Sequence, residues 1–320
     1  MPEPIVLENQ PTQVLAGAAP PSTLKNQLGG IGFMLVMTVC FSTLDASAKF
    51  VTNELSLGMV MWGRYFFHFL LIAVFLLPGA PRNILKSRNI TIQVLRSLMI
   101  FCAGITFWAG LMYLPLAECT VIAFISPLLV TILSVIFLRE TFGPHRWVVV
   151  FVGLAGVLLV IRPGVGIVHW AVILPLLAAL FYATLQITTR VLGRQDNALT
   201  TLFYTSTCGL IFSSVMVLLF WQTPTLAQWL MLAWLGFVGA VGHFFMIKAF
   251  ERAPASLLAS FDYVTLVWAV LFGYFLFNDF PDKWTVLGAM IIVSSGMYLI
   301  RKENQGRAMG DGAKAPEAGK

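Results

Sequence analysis

The chain predicts an all-α membrane protein of ten transmembrane helices, built as two five-helix repeats inserted in opposite senses. Three observations predict it. Of 320 residues, 58% are hydrophobic and 11% charged, with mean hydropathy +0.86, whereas soluble domains carry roughly 25% charged residues. The apolar residues gather into runs of roughly 16–25, long enough to cross a bilayer core with ordinary tilt. The runs also come in two matching sets of five. Leu116-Ala117-Glu118-Cys119-Thr120-Val121-Ile122-Ala123-Phe124 is echoed by Arg252-Ala253-Pro254-Ala255-Ser256-Leu257-Leu258-Ala259-Ser260. Phe41-Ser42-Thr43-Leu44-Asp45-Ala46-Ser47-Ala48-Lys49 is echoed by Tyr182-Ala183-Thr184-Leu185-Gln186-Ile187-Thr188-Thr189-Arg190. An odd number of spans per half makes the second half enter the membrane from the opposite face.

The spans are expected near 28–50, 58–78, 91–113, 117–138, 146–161, 168–190, 198–221, 227–250, 253–277 and 283–300. The apolar stretches are continuous, which excludes a membrane barrel with its short alternating segments. Pro78-Gly79-Ala80-Pro81, Phe142-Gly143-Pro144, Arg162-Pro163-Gly164 and Gln222-Thr223-Pro224 punctuate the breaks. The organisation is then a tail at 1–27, a first repeat at 28–162, a second at 163–301 and a tail at 302–320, both tails disordered. The first tail lacks the layout of a signal peptide.

Net charge is +6 and the isoelectric point 9.3, but the charges sit at span ends and form no basic stripe for nucleic acid. With a cytoplasmic N-terminus, the inside flanks collect Lys25, Arg82, Lys86, Arg88, Arg139, Arg146, Arg190, Arg194, Arg252, Arg301, Lys302, Arg307, Lys314 and Lys320. The outside flanks hold Lys49, Arg162 and Lys283. This positive-inside bias places both termini in the cytoplasm. Cys40, Cys102, Cys119 and Cys208 lie in apolar runs without ligand spacing, so no disulfide framework, metal or cofactor is expected.

The fourth and fifth spans carry Tyr113-Leu114-Pro115-Leu116-Ala117-Glu118, Ser126-Pro127-Leu128-Leu129-Val130, Arg139-Glu140-Thr141-Phe142-Gly143-Pro144, and the run from Gly153 to Val160. This resembles the first repeat of EamA-type transporters of the drug/metabolite transporter superfamily. Ala253-Pro254-Ala255, Asp262-Tyr263, Leu271-Phe272-Gly273-Tyr274 and Gly288 to Gly296 resemble the second repeat. One departure is that Asn278-Asp279 stands where many second repeats end the ninth span in glutamate, as the first repeat does at Glu140. The resemblance, over about 28–301, implies a central cavity lined by spans one to four and six to nine, with five and ten outside. It implies a carrier of small metabolites in the bacterial inner membrane, monomeric or homodimeric, whose partners are a small-molecule solute and the lipid bilayer. Similarity in the Leu-Pro-Leu-Ala-Glu to Arg-Pro-Gly stretch points to the riboflavin or S-adenosylmethionine uptake branches over amino-acid exporters, with uptake of a vitamin such as riboflavin as the first expectation. The alternative is S-adenosylmethionine or amino acids and their derivatives, imported or exported.

Ionisable groups inside spans cost ~2.5–3.5 kcal/mol each on insertion scales, so each needs a reason. Asp45 lies one turn before Lys49 and reads as a neutralised ion pair or as a cavity acid. Arg64, near Trp62, Tyr65 and His68, either reaches the outer headgroups or faces the cavity, where its fork would hold a carboxylate, phosphate-like or carbonyl group. Arg96 reads as snorkelling inward, and Lys248 likewise. His68 reads as a hydrogen-bonded packing residue or a proton relay. Glu118 opens span four, where the helix dipole explains it or a gate at the outer mouth uses it. Gly236, Gly239 and Gly242 before His243 suggest close helix approach. Asp262-Tyr263 corresponds by repeat to Ser126-Pro127 near the midplane, where repeat-related helices form solute sites; the alternative for Asp262 is a bond to a neighbouring hydroxyl. Trp147, Trp170, Trp229 and Trp284 read as interfacial anchors, while Trp62, Trp108, Tyr182 and Trp268 lie deeper and can stack on a heterocycle or hold a cation.

The expected mechanism is alternating access about a midplane site. No Gly-rich loop ending in Lys-Ser/Thr is present, so ATP does not drive it directly. Proton coupling through Asp45, Glu118 or Asp262 stands beside facilitated exchange. A membrane-embedded enzyme and a channel are the remote alternatives, and the enzyme finds no His-Glu-x-x-His or Gly-x-Ser-x-Gly motif.

Overall fold

A computed structural model describes residues 24–76, 78, 86–138, 144–161, 170–192, 196, 198–253, 258 and 261–312. Its helices are α1 (Leu24–Val51), α2 (Leu57–Leu71), α3 (Ile90–Leu111), α4 (Leu116–Ala123), α5 (Ser126–Leu138) and α6 (Pro144–Ile161). The chain continues with α7 (Ile173–Leu192), α8 (Ala198–Phe220), α9 (Leu226–Arg252), α10 (Val264–Phe277) and α11 (Lys283–Gly312). Glu140, Arg82, Arg139, Arg162, Arg194, the first tail up to residue 23 and the repeat junction at 162/163 lie outside the described residues. So do the side chains of Lys25, Arg146 and Arg190.

Local chemistry sets most boundaries. Ser56 caps α2 by accepting from the Met59 N–H, Asn89 caps α3 from Ile92, and Thr225 and Gln228 form a capping box at α9. Two boundaries depart from expectation. The fourth span is two helices, α4 and α5, with a turn at Phe124–Ile125. Pro127 explains it, because it has no N–H for the Ala123 carbonyl yet fits the first turn of a new helix. The last span runs to Gly312 where a tail was expected from 302; no Pro stands between Arg301 and Gly312 to stop it.

Asn26–Val51, Leu57–Phe75, Ile90–Leu111, Trp170–Thr189, Leu199–Phe220 and Leu226–Met246 are long and apolar enough to cross a membrane. Leu116–Val130, Trp147–Ile161 and Val264–Phe277 are shorter apolar helices; the first contains the α4–α5 turn and the last follows a turn at Tyr263. Apolar side chains face outward, among them Leu218 at 79% exposed and Leu219 at 81%. Such a surface suits lipid and not water.

The packing has the pattern of an inverted duplication. α1 lies along α9, and its repeat mate α7 lies along α3. The α1–α2 turn meets the α8–α9 turn, where Ser56 N–H donates to Gln222 Oε1 at 2.9 Å and its hydroxyl to the Phe220 carbonyl at 2.8 Å. The repeat mate of that turn, between α7 and α8, meets the α2–α3 loop at the opposite end of the bundle, through Asp196. α2 packs between α8 and α9, and α10 packs on α1 and α4, whereas α6 packs chiefly on α11. This leaves spans five and ten to the side. The glycines of α9 act as expected. A Cβ at Gly236 would lie 2.9 Å from the His68 backbone nitrogen, and one at Gly242 would lie 2.7 Å from the Phe41 ring.

Candidate solute site

The interior polar groups form a file along the bundle, and helix periodicity sets their levels. Thr38, Ser42, Asp45 and Lys49 recur every three or four residues on one face of α1. Arg64 and His68 are one turn apart on α2, which runs antiparallel. Arg64 therefore lies level with Asp45, and His68 level with Ser42.

Trp108 of α3, 1% exposed, joins the first level. Its indole Nε1–H donates to Asp45 Oδ1 at 2.9 Å, and the Arg64 guanidinium carbon lies 4.9 Å from its ring centroid. A hydrogen bond to a charged acceptor is worth about 1.5–3 kcal/mol, and a desolvated cation–π contact about 2 kcal/mol. Arg64 is 7% exposed and also lies 5.1 Å from the Tyr65 ring. It faces the interior and does not reach the headgroups.

One turn along, His68 stacks on His243 of α9 with centroids 5.4 Å apart and planes 21° apart, and Phe41 meets His243 edge-on at 5.1 Å. Neither ring nitrogen of His68 has a hydrogen-bond partner among the described residues. The same is true of Arg64 Nε, the Tyr65 hydroxyl, the Ser42 hydroxyl and Trp268 Nε1, all buried. The reading of His68 as a hydrogen-bonded packing residue is therefore corrected.

Arg96 is corrected as well. It does not snorkel: it is 8% exposed, and its Nε donates to Thr189 Oγ1 and its NH1 to Thr205 Oγ1, each at 2.7 Å. Tyr182, 41% exposed, lies within electrostatic reach of both Arg96 and Asp262. Asp262 is half-buried, and the hydroxyls that precede it in its span, Ser256 and Ser260, lie outside the described residues. Beside it, Tyr263 stacks on Phe124 with centroids 5.1 Å apart. The turns that interrupt the fourth and ninth spans thus face each other.

At the α1–α2 end, the expected Asp45–Lys49 pair is replaced. Asp45 is turned to Trp108, and Lys49 Nζ meets Asp279 Oδ2 at 3.1 Å and the Leu114 carbonyl at 3.2 Å, with the Phe277 ring 4.8 Å away. Asn278, at φ 57°, ends α10, and the Asp279 N–H donates to the Gly273 carbonyl, which holds Asp279 toward Lys49. The sequence showed Asp279 only as a departure from the usual glutamate, because α10 ends two residues before it and its partner lies in the other repeat. Lys49, Glu118 and Asp45 all lie within electrostatic reach of Cys119 at the start of α4. At the opposite end, Asp196 accepts from the Arg88 backbone N–H, from Gln93 Nε2 at 2.9 Å and from the Ser87 hydroxyl. Burial would raise the Asp196 carboxyl, but these three donors hold it below the usual carboxylate range.

Trp62 and Trp268 stand apart from this arrangement in their contacts. Trp62 donates to Ser214 Oγ at 3.1 Å, stacks on Phe66 and meets Trp221 and Trp229 edge-on, an aromatic cluster of α2, α8 and α9. Trp268 stacks on Phe272 of its own helix. Lys248 lies over Phe244 one turn before it. The four cysteines are free thiols.

The model of the EamA-like transporter family matches residues 28–162 and 169–301. The chain belongs to the EamA-like transporter family. Its likeness to an S-adenosylmethionine uptake transporter of Rickettsia conorii is 33% identity over 283 residues, 88% of this chain and 96% of the relative. A riboflavin transporter of Rhizobium johnstonii is 27% identical over 282 residues, covering 86% and 91%. A pseudopaline exporter of Pseudomonas aeruginosa is 24% identical over 274 residues, covering 85% and 96%. A solved crystal structure with 17% identity superposes with TM-score 0.60 over 87% of this chain and 98% of the other, which shows the shared fold. As an EamA-like transporter the chain is a multi-pass integral membrane protein that carries a small metabolite, and it is not an enzyme. The expected order of solutes is reversed by these identities, since S-adenosylmethionine carriers stand nearer than riboflavin carriers.

Proposed function

We propose that the protein takes up S-adenosylmethionine across the cytoplasmic membrane by alternating access. The observation that carries this reading is the 33% identity, spread over nearly the whole length of the Rickettsia conorii carrier. The chemistry of the interior supports it. S-adenosylmethionine bears a carboxylate, an ammonium, a sulfonium and an adenine. The bundle offers Arg64 for the acid, Asp45 and Asp262 for the cations, and Trp108, Tyr182 and Tyr263 for stacking and cation–π contact. Riboflavin carries no cation and would leave both carboxylates without a function.

In this reading both termini are cytoplasmic and the α1–α2 end is extracellular, as the charge bias favours. Lys49 with Asp279, and Glu118 nearby, close the outer mouth. Asp196 with Ser87, Arg88 and Gln93 closes the inner one. Each closure joins the two repeats, so rocking the repeats requires breaking one of them at a time.

The test is uptake of labelled S-adenosylmethionine into proteoliposomes, with riboflavin as the comparison solute. Saturable uptake that preloaded S-adenosylmethionine accelerates is the expected result. Saturable riboflavin uptake with none for S-adenosylmethionine would overturn the reading.

A further inference from the structure

The orphaned polar groups of α1 and α2 share one chemical property, which is that each can donate. Arg64 Nε–H, the Tyr65 O–H, one His68 ring N–H and the Ser42 O–H are buried and lack acceptors among the described residues. Each such group left unpaired forfeits its water without replacement, so a cluster of four calls for a ligand rich in acceptors. Helix arithmetic puts them on two adjacent turns of α1 and α2, which both pack on α9: Ser42 level with His68, and Arg64 with Tyr65 one turn further along. Ser42 does not return its hydroxyl to its own helix, as Thr38 does to the Leu35 carbonyl at 2.8 Å. The neighbouring carboxylate, Asp45, is engaged by Trp108.

Two glycines pack close to the guanidinium. A Cβ at Gly104 would lie 3.4 Å from Arg64 NH1, and one at Gly239 would lie 3.8 Å from its Nε. Glycine at both positions keeps larger side chains from covering the fork. A carboxylate has two oxygens and about four lone-pair sites, which matches a four-donor cradle in number.

We propose that Ser42, Arg64, Tyr65 and His68 form a carboxylate subsite that binds the acidic end of the transported solute. This deepens the solute reading above and rests on it. The amino-acid end of S-adenosylmethionine then points into the α1–α2 hairpin, and its cationic centres lie toward Asp45 and Asp262.

The experiment compares two competitors of labelled uptake in proteoliposomes. They are unlabelled S-adenosylmethionine and its decarboxylated form, which keeps the sulfonium, amine and adenosine. For the unsubstituted carrier the decarboxylated form should compete at least about tenfold more weakly, as a site built of donors rejects an analogue lacking the acceptor. Arg64→Gln should weaken competition by S-adenosylmethionine to the level of the decarboxylated form and leave the latter unchanged. Tyr65→Phe, which removes one oxygen and keeps the ring, should narrow the gap several-fold. Equal competition in the unsubstituted carrier, the result if water or a resident inorganic anion fills the cradle, overturns the subsite, as does an undiminished gap in both variants. If S-adenosylmethionine is not taken up at all, the solute reading fails separately. The subsite is then read by thermal melting of the purified carrier with amino acids against their amides. Stabilisation that needs the carboxylate and is lost in Arg64→Gln supports it, and its absence overturns it.

Discussion

Two arginines enter the interior of this bundle and are treated in opposite ways. Arg96 is tied to Thr189 and Thr205, on α7 and α8, so its charge is spent joining three helices. Arg64 lies between two aromatic rings with Nε unpaired, one helical level from three more donors without acceptors. Both are almost equally buried, so burial alone does not separate a strut from a binding group. The partners do, because a satisfied cation has little left to offer a ligand.

Substitutions can break or sharpen that contrast. Arg64→Ala should reduce the uptake rate constant kcat/KM about 10²-fold, the effect of roughly 3 kcal/mol, in protein that still elutes as a single species. Trp108→Phe keeps a ring beneath Arg64 but removes the donor to Asp45, and should cost about tenfold in the same assay. Arg96→Gln should act on the fold instead. Its expected signature is a melting midpoint lowered by several degrees, with transport per inserted carrier within a few-fold of the parent. Parity of Arg64→Ala with Arg96→Gln in both measurements would erase the distinction.

The two ends of the bundle give smaller effects. Lys49→Ala or Asp279→Ala should change uptake a few-fold, since the pair is partly exposed and such pairs contribute about 0–1 kcal/mol. The exchange Lys49→Asp with Asp279→Lys should recover part of the loss in uptake assays. At Asp196 the lowered carboxyl sets the sign of the pH response. Its bonds are complete above the unfolded value of about 4, and their stabilisation is lost as pH falls through the lower folded value. Melting midpoints should therefore lie close together at pH 5 and pH 8, and the difference between parent and Asp196→Asn should shrink only in strong acid.

How much of this was legible in the chain depends on the range of each interaction. The spans, their number and the inverted halves follow from hydropathy and repeated motifs, which are local. The polar stripe Thr38, Ser42, Asp45 and Lys49 was also readable by periodicity, though Asp45 and Lys49 then looked like partners. The structure sends them to Trp108 and to Asp279, 63 and 230 residues away in sequence. The helical turn that makes two charges neighbours does not stop either from finding a better partner across the bundle. His68 and His243 are likewise separate singletons in the sequence and stacked rings in the fold.

The sequence by itself determined the membrane setting, the helical class and the duplicated plan, because backbone polar groups in lipid must be satisfied within each span and apolar length records that demand. Only the tertiary structure decided which charged groups are consumed by the architecture and which stay open, because that depends on acceptors brought from the other repeat. The fourth span, expected as one helix over 117–138, breaks before Pro127, and the meeting of that break with the one at Tyr263 exists only once the helices pack.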